Sequence, residues 1–108
     1  MKRVYIAGPY TKGDVARNVA EAVRIGNQIA SGCVAVFIPH LTHFWHMLFP
    51  RAYEFWLRQD MAWLEVCDCL LRLPGESMGA DAEASRMLEL RRPVFTDIAS
   101  LMEWCETG

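Results

Sequence analysis

The sequence predicts an α/β fold, and three observations support this prediction. Short, almost continuously apolar runs alternate along the chain with segments whose apolar residues follow helical spacing. Strands that are apolar on both faces are typical of parallel sheets covered by helices on both sides. The chain of 108 residues, 53% of them hydrophobic and 22% charged, is long enough for one core. We therefore expect residues 1–108 to form a single domain with a small doubly wound parallel sheet, a flavodoxin-like or Rossmann-like three-layer sandwich.

The apolar runs predict short strands over residues 3–7, 34–38, 67–73 and 93–95. Gly8 and Pro9 close the first run and Pro39 closes the second, as turn residues commonly do. The fourth run is the shortest and precedes the last helical segment.

Helices are predicted between the strands. Helical spacing begins after Asp14, a suitable N-cap, and Gly32 is expected to end that helix. Further helices are expected over residues 52–66 and 79–90, and from a cap at Asp97 to residue 106. Residues 40–51 are left unassigned, because Pro50 is expected to break any helix there.

Charge and hydropathy exclude two classes of partner. The net charge is −2 and Lys and Arg form no cluster, so we expect no nucleic-acid partner. No apolar run approaches the roughly 18 residues of a membrane-spanning helix, so we expect no membrane partner. The N-terminus is interpreted as a first strand and not as a signal peptide, because its apolar stretch is short and interrupted by Gly8 and Pro9.

The cysteines and tryptophans indicate a compartment and an assembly. Cys67 and Cys69 are the only close pair, and their spacing is not that of a zinc site. We expect buried thiols in a reducing cytoplasm, and neither a metal nor another cofactor. Four tryptophans are many for this length, and we expect some of them to lie between the subunits of a homodimer or higher homo-oligomer.

The predicted fold places ligands at one edge of the sheet. In doubly wound folds, ligands bind beyond the carboxyl ends of the strands. The segments expected there are residues 8–13, 39–46 and 74–83. We therefore expect the functional residues in these segments and in the helices that contact them.

Asp60 interrupts the apolar stripe of its predicted helix. It lies four residues after Trp56, three after Leu57 and four before Leu64, on the same face. A buried carboxylate needs a partner or a function, because leaving it unpaired is energetically costly. Asp60 is therefore a candidate site residue, and the structural alternative is a cap or an ion pair with an arginine.

Glu83 is the carboxylate expected closest to the ligand edge. The predicted start of its helix is rich in small residues, Gly79, Ala80, Ala82 and Ala84, which leave space for a ligand. The helix dipole and free backbone N–H groups would keep Glu83 ionised, as a nucleophile requires. The structural alternative is an ordinary glutamate in a first helical turn.

Ser77 and Tyr5 are further candidates, each with a structural alternative. Ser77 precedes the same helix, and its hydroxyl suits a phosphate or a sugar hydroxyl, or else a simple N-cap. Tyr5 lies near the carboxyl end of the first strand, where it either packs in the core or hydrogen-bonds a carboxylate at the site.

The histidines are spaced by three and do not converge on one metal ion. His40, His43 and His46 would fan over about 120° of a helix. His40 follows the second strand directly, so we expect it at the ligand edge in contact with an anion. The other two are expected at the surface or in an interface. The loop that starts at Gly8 contains Lys12 but fits no phosphate-binding motif.

Several motifs resemble the nucleoside 2-deoxyribosyltransferase-like family, which includes deoxyribonucleoside 5′-monophosphate N-glycosidases. These motifs are V-Y-I-A-G-P at the N-terminus, F-I-P-H after the second strand, Q-D-M-A-W-L-E-V-C-D, and S-M-G-A-D-A-E-A. Each motif is short, but together they extend along nearly the whole chain in the order of the family.

The resemblance implies roles for individual residues. Glu83 corresponds to the nucleophile, Asp60 to the helix aspartate and Tyr5 to the tyrosine that positions the nucleophile. Ser77 stands where the monophosphate glycosidases have a serine that contacts the 5′-phosphate. The substrate-binding residues expected on this basis are Gly8, His40, Ser77, Gly79 and Asp81. The family's G-x-G is Gly79-Ala80-Asp81 here, so an extra carboxylate replaces the second glycine.

The implied activity is cleavage or transfer of the N-glycosidic bond of a nucleoside or nucleoside 5′-monophosphate. Glu83 would form a covalent glycosyl intermediate in a retaining displacement, and Asp60 would orient the substrate or protonate the leaving base. The expected partner is therefore a small nucleoside or nucleotide. The alternative is a non-catalytic nucleotide-binding or sensing module on the same fold, which the loss of the second glycine would suit.

Overall fold

A computed structural model describes residues 1–107 and contains one sheet of four parallel strands. The strands are β1 (Lys2–Ala7), β2 (Val34–Phe37), β3 (Cys69–Arg72) and β4 (Val94–Phe95). Their order is β2-β1-β3-β4, so β1 is central. In the register, Val4 of β1 lies beside Val36 of β2 on one side and Cys69 of β3 on the other.

Five α-helices connect and follow the strands. They are α1 (Val15–Ile29), α2 (Thr42–Leu48), α3 (Tyr53–Leu64), α4 (Met78–Glu89) and α5 (Ile98–Thr107), and one turn of 3-10 helix, Pro39–Leu41, precedes α2. None of these helices is both long enough and apolar enough to cross a membrane.

Helices cover both faces of the sheet. On one face, α1 and α5 pack against the strands through Ala22, Ile25, Ile29, Leu101 and Cys105. On the other face, α3 and α4 contribute Leu64, Ala80 and Met87 to a second cluster. The prediction of a doubly wound parallel α/β sandwich is confirmed.

Helix α1 confirms one predicted boundary and corrects another. The Asp14 side chain accepts a hydrogen bond from the backbone N–H of Arg17 at 3.1 Å, so it is the predicted N-cap. The helix ends at Ile29 with Ala30 as its C-cap, before the predicted stop at Gly32. Ala30 is extended, and its N–H still bonds to the carbonyl of Gly26, so no glycine is needed to end the helix.

The unassigned residues 40–51 contain helix α2. Pro39 starts the preceding 3-10 turn, where a missing N–H costs nothing. Pro50 lies beyond the last helical turn and affects only Phe49, which leaves the helical region with φ −135° and ψ 79°. The proline therefore limits the length of α2 and does not prevent it from forming.

The strand order opens a crevice at one edge of the sheet. From β1 the chain goes to β2 on one side, and it then crosses to β3 on the other side of β1. The connection after β1 and the connection after β3 therefore run in opposite directions along the sheet. Such a reversal is the usual position of a ligand site in this class of fold. The loops after β1, β2 and β3 all meet there.

Candidate active site

A cavity of about 610 Å³ lies at this edge of the sheet. Its walls come from the loop after β1, the segment from Pro39 to α3, and the start of α4. Six of the residues expected at the site line it, namely Gly8, His40, Asp60, Ser77, Gly79 and Glu83. The sequence therefore located the cavity, and Tyr5 and Asp81 are the two expected residues that do not line it.

Glu83 is a buried carboxyl group in the wall of the cavity, with 9% of its surface exposed. It is the sixth residue of α4, whose N-cap is Ser77, so it lies in the second turn and not in the first as expected. The free N–H groups of the helix end are therefore out of its reach. Burial raises the pKa of Glu83 to about 7, while the hydrogen bond from Tyr5 acts in the opposite direction. The expectation that the helix end holds Glu83 ionised is wrong.

Tyr5 combines both alternatives that the sequence left open. The residue is fully buried in β1, and its ring packs against Phe37 with 5.6 Å between ring centres. Its hydroxyl donates a short hydrogen bond to Oε2 of Glu83. Burial, and next the negative charge of Glu83, raise the pKa of Tyr5, so the hydroxyl keeps its proton and remains a donor. Tyr5 thus holds Glu83 from inside the protein.

Asp60 lies across from Glu83 without the partner that a structural role would require. It neither caps a loop nor pairs with an arginine within residues 1–107, and its Oδ1 is buried without a hydrogen bond. Burial raises the pKa of Asp60 to about 7. The pKa of Glu83 is raised most by burial and is lowered by the hydrogen bond from Tyr5. The negative charge of Asp60 is the third largest effect, and it raises the pKa of Glu83. Both carboxyls therefore have pKa values raised towards neutrality, and an ionised Asp60 makes ionisation of Glu83 less favourable.

Ser77 and Gly79 form the end of the cavity at α4. The Ser77 Oγ accepts a hydrogen bond from the N–H of Ala80 at 3.1 Å, which makes it the N-cap, and its own proton remains available for a ligand. A Cβ at Gly79 would lie 3.8 Å from the Tyr53 hydroxyl and 4.0 Å from the Ser77 Oγ. A larger side chain at position 79 would therefore occupy space between these two hydroxyls.

Asp81 points away from the cavity, in contrast to the expected contact with substrate. Its side chain is 72% exposed and its Oδ1 lies 2.9 Å from Nη2 of Arg72. The same guanidinium donates to the carbonyls of Leu73 and Gly75. The residue that replaces the second glycine of the G-x-G motif thus pairs with Arg72 and leaves the cavity unfilled.

His40 is neutral and holds the loop after β1. Its Nε2–H faces the carbonyls of Gly8 and Pro9, at 3.3 and 3.0 Å, and therefore donates to them. Burial lowers the pKa of His40, and its buried Nδ1, an unprotonated acceptor, has no hydrogen-bond partner within residues 1–107. An uncharged ring with a bare acceptor is a poor anion ligand, so the expected anion contact does not agree with this geometry.

The sequence did not identify His46, Arg51, Tyr53 and Trp56 as residues of this site, although all four line the cavity. The Trp56 Nε1–H donates to Nδ1 of His46 at 2.8 Å, which joins α3 to α2. Tyr53, Trp56 and Asp60 lie at helical spacing on one face of α3. The same pattern that made Asp60 a candidate could therefore have indicated Tyr53 and Trp56 as well.

The remaining histidine lies outside the cavity wall. His43 interacts through Nδ1 with the Tyr10 hydroxyl at 2.5 Å and is half-buried. Within residues 1–107 no group of three or more His, Cys, Asp or Glu side chains is arranged to hold a metal ion. The four cysteines form no disulfide, and Cys67, Cys69 and Cys105 are buried.

Comparisons with known proteins identify the fold and a family. The structure is similar to that of a 2-deoxyribosyltransferase from the psychrotolerant bacterium Bacillus psychrosaccharolyticus, a biocatalyst for the synthesis of nucleosides. The TM-score is 0.58 and the sequence identity 17%, over 89% of this chain and 75% of the other. This identity relates the two folds only, and the sequence matches no curated protein. The domain of unknown function DUF7768 matches residues 2–97, and the chain therefore belongs to that family.

Proposed function

We propose that this protein breaks the N-glycosidic bond of a nucleoside or nucleoside 5′-monophosphate through a covalent intermediate on Glu83. The observation that carries the proposal is the arrangement of two carboxyl groups with raised pKa values at one cavity, Glu83 held by the buried Tyr5 hydroxyl and Asp60 without a partner. Such pairs divide the roles of nucleophile and acid. The similarity to a 2-deoxyribosyltransferase fold is consistent with this chemistry.

In the first step, a carboxylate oxygen of Glu83 bonds to C1′ of the sugar while the bond from C1′ to the base breaks. The electron pair of that bond leaves with the base, and the carboxylic acid of Asp60 donates a proton to a base nitrogen. Both groups titrate near neutrality, so the state with Glu83 ionised and Asp60 protonated is populated at pH 7.

In the second step, the glycosyl ester on Glu83 is resolved. The Asp60 carboxylate takes a proton from water, the water oxygen bonds to C1′, and the Glu83 carboxylate leaves. A second base can replace water, which would make the reaction a transfer. Two displacements at C1′ give net retention of configuration, so we expect the β-anomer of the substrate to yield the β-anomer of the sugar product first.

We infer a 5′-monophosphate substrate, and the position of Ser77, where the monophosphate glycosidases have a serine, favours hydrolysis over transfer. The Ser77 hydroxyl, the Tyr53 hydroxyl and Gly79 lie together at the start of α4, where backbone N–H groups and the helix dipole favour a phosphate. Lys12 also lines the cavity, and its exposed ammonium lies 3.5 Å from the carboxylate of Glu76. This set of donors suits a phosphate more than a neutral hydroxymethyl group.

The principal alternative is a nucleotide-binding module without turnover. Its support in the sequence was the loss of the second glycine of G-x-G, but Asp81 turns towards Arg72 and leaves the cavity open. A binding module also gives no reason for two carboxyl groups, Glu83 and Asp60, whose pKa values are both raised to about 7 at one cavity. We therefore favour the enzyme.

The decisive experiment is a base-release assay over deoxynucleosides and their 5′-monophosphates, with and without an acceptor base. Glu83→Gln keeps the acceptor for the Tyr5 hydroxyl but removes the nucleophile, and we expect it to lower the rate by at least about a thousandfold. Glu89→Gln is the matched control, because Glu89 is an exposed carboxylate at the end of the same helix. Full activity of Glu83→Gln, or no release from any substrate by the unmodified protein, would contradict the proposal.

We further propose that the protein works in the cytoplasm as a homodimer. The free cysteines are consistent with a reducing compartment. Support for the dimer comes from the apolar side chains around α2, Leu41, Phe44, Met47, Leu48 and Phe49, each of which is more than half exposed. A contiguous exposed apolar surface of this kind commonly marks a protein–protein interface.

A further inference from the structure

Trp56 is held in the cavity wall with its polar atom already satisfied. It lies one helical turn before Asp60 on α3, on the same face, and both residues line the cavity. Its Nε1–H donates to Nδ1 of His46 at 2.8 Å. The indole is therefore fixed in orientation and presents apolar ring surface, since its only donor is used inside the protein.

The aromatic neighbours of Trp56 support it without stacking on it. The rings of Trp45 and Phe55 both lie 4.9 Å from its centre at 84°, and the ring of His46 lies 5.5 Å away, also at 84°. Within residues 1–107 no aromatic ring stacks parallel to the indole. Among the described residues no parallel aromatic ring competes with a planar ligand for Trp56, and Trp56 lines the cavity.

His46 supplies a hydrogen-bond donor next to the same surface. Its Nδ1 accepts from the Trp56 indole and from the backbone N–H of Arg51 at 3.4 Å, so this nitrogen carries no proton. In the neutral ring the proton is then on Nε2. No acceptor within residues 1–107 takes a hydrogen bond from Nε2, and His46 lines the cavity.

We propose that Trp56, His46 and Asp60 form a subsite for a planar heteroaromatic base. The base stacks on the indole of Trp56, an acceptor on the base receives the Nε2–H of His46, and Asp60, which also lines the cavity, meets its edge with its carboxyl group. Stacking on an aromatic side chain accepts every base, while the His46 donor and the Asp60 carboxyl select among bases by their edge groups.

The subsite deepens the proposed function and rests on it for the bond that is broken. It also explains why Asp60 is the residue that protonates the leaving base. Trp56 would orient the base, and Asp60 lies one helical turn from Trp56 on the same face of α3. A sugar or sugar phosphate without a base makes none of these contacts. We therefore expect ribose 5-phosphate alone to leave the Trp56 indole signal unchanged.

Free bases test the subsite without any turnover. Adenine, hypoxanthine, cytosine and thymine are titrated into ¹⁵N-labelled full-length protein, and the Trp56 indole N–H and the His46 ring nitrogens are followed by NMR. At least one base is expected to shift both signals. Trp56→Leu should weaken its binding about tenfold or more, whereas Trp56→Phe, which keeps a ring, should lose less. His46→Gln should weaken the binding of those bases that carry a hydrogen-bond acceptor at the edge that faces His46.

Matched controls come from the same helices. Trp63→Leu removes a 53% exposed tryptophan of α3 that lies outside the cavity wall. His43→Gln changes a histidine of α2 that also lies outside the wall and keeps an acceptor for Tyr10. Both controls should bind the base as the unmodified protein does.

Three outcomes would overturn the subsite: binding of no base in the panel, base binding without shifts at Trp56 and His46, or equal binding by Trp56→Leu and Trp63→Leu. These results are separate from the proposed reaction. Base binding at Trp56 together with no release from any nucleotide would support the subsite and contradict the function. Base release with unchanged KM in both Trp56→Leu and His46→Gln would support the function and contradict the subsite.

Discussion

Glu83 is a carboxyl group that the fold shields from water but supplies with a strong hydrogen-bond donor. Burial raises its pKa from 4.5 to about 7, and the Tyr5 hydroxyl limits this increase. The proposed nucleophile is therefore close to its ionisation point at neutral pH, which would suit the alternation between carboxylate and ester in the proposed reaction. Burial of a carboxyl group that ionises near neutral pH lowers the stability of the folded protein.

This cost predicts a dependence of stability on pH. Below the unfolded pKa of about 4.5, Glu83 is protonated in both states and its burial costs no ionisation energy. As the pH rises from 4.5 to about 7, the unfolded chain ionises first, so the folded state loses stability, and above 7 the loss is constant. Glu83→Gln cannot ionise and should be more stable than the unmodified protein at pH 8, by on the order of 2 kcal/mol.

Urea unfolding at pH 4 and pH 8, at one protein concentration, measures this difference. The gain from Glu83→Gln should be present at pH 8 and absent at pH 4, while the exposed-site control Glu89→Gln should show no such change between the two pH values. A Glu83→Gln variant that is less stable than the unmodified protein at pH 8 would mean that the folded protein favours the carboxylate.

Tyr5 predicts the pH dependence of the proposed reaction. Burial raises the pKa of Glu83 and the Tyr5 hydrogen bond lowers it, so Tyr5→Phe should raise this pKa further. The ascending limb of kcat/KM for base release, which reports the ionisation of Glu83, should move to higher pH. The descending limb, which reports the protonated Asp60 with its pKa of about 7, should move less. An unchanged ascending limb in Tyr5→Phe would show that Tyr5 does not control the acidity of Glu83.

At the scale of secondary structure, Arg72 connects the end of β3 to the start of α4. Its side chain is 14% exposed, and its guanidinium bonds to the Leu73 and Gly75 carbonyls and to Asp81. The loop between these elements carries Ser77, and α4 carries Glu83. One arginine therefore fixes both ends of the segment that forms this wall of the cavity.

Replacement of this arginine should affect both stability and substrate binding. Arg72→Gln loses the hydrogen bonds to the two carbonyls and the ion pair with Asp81, and we expect the free energy of unfolding to fall by about 1–3 kcal/mol. Because Ser77 is displaced, KM should rise more for 5′-monophosphates than for nucleosides. Arg86→Gln is the control on α4, since its guanidinium is 37% exposed and pairs with Glu65, and it should cost less stability than Arg72→Gln. Asp81→Asn keeps the carbonyl bonds and should have a small effect. Equal effects of Arg72→Gln and Arg86→Gln on stability and KM would contradict this role.

The helices and strands were largely predictable from the sequence, whereas contacts between them were not. Periodicity and caps located α1 from Asp14 and the stripe of α3 that contains Asp60. The direction of Asp81 depends on Arg72, which reaches it from a different element, and the role of His46 depends on a bond to Trp56. Such tertiary hydrogen bonds leave no periodic pattern in the chain, so the residues involved were assigned to the wrong surface or not at all.

For the whole molecule, the doubly wound topology brings residues far apart in the sequence to one edge. Tyr5 and Glu83 are separated by 78 positions, yet they share a hydrogen bond because β1 is central and α4 packs on it. The family resemblance named both residues, and the parallel sheet explains why their side chains meet. The fold class thus predicted the edge of the sheet at which the cavity lies, while the raised pKa values of Glu83 and Asp60 depend on burial that only the folded structure defines.

The apolar surface around α2 makes a prediction about assembly. Phe44 and Met47 lie one turn apart on this helix and are 68% and 63% exposed, an arrangement that single subunits rarely leave in water. We expect the protein to be a dimer by light scattering coupled to gel filtration, and Phe44→Ser with Met47→Ser to shift it towards the monomer. The matched control is Leu88→Ser, an exposed apolar residue on α4 at 60% exposure, which should leave the dimer intact.

Because α2 also places His46 in the cavity, dissociation should weaken base binding as well. A monomeric unmodified protein, or a dimer that persists in the double variant, would show that this surface is not the subunit interface.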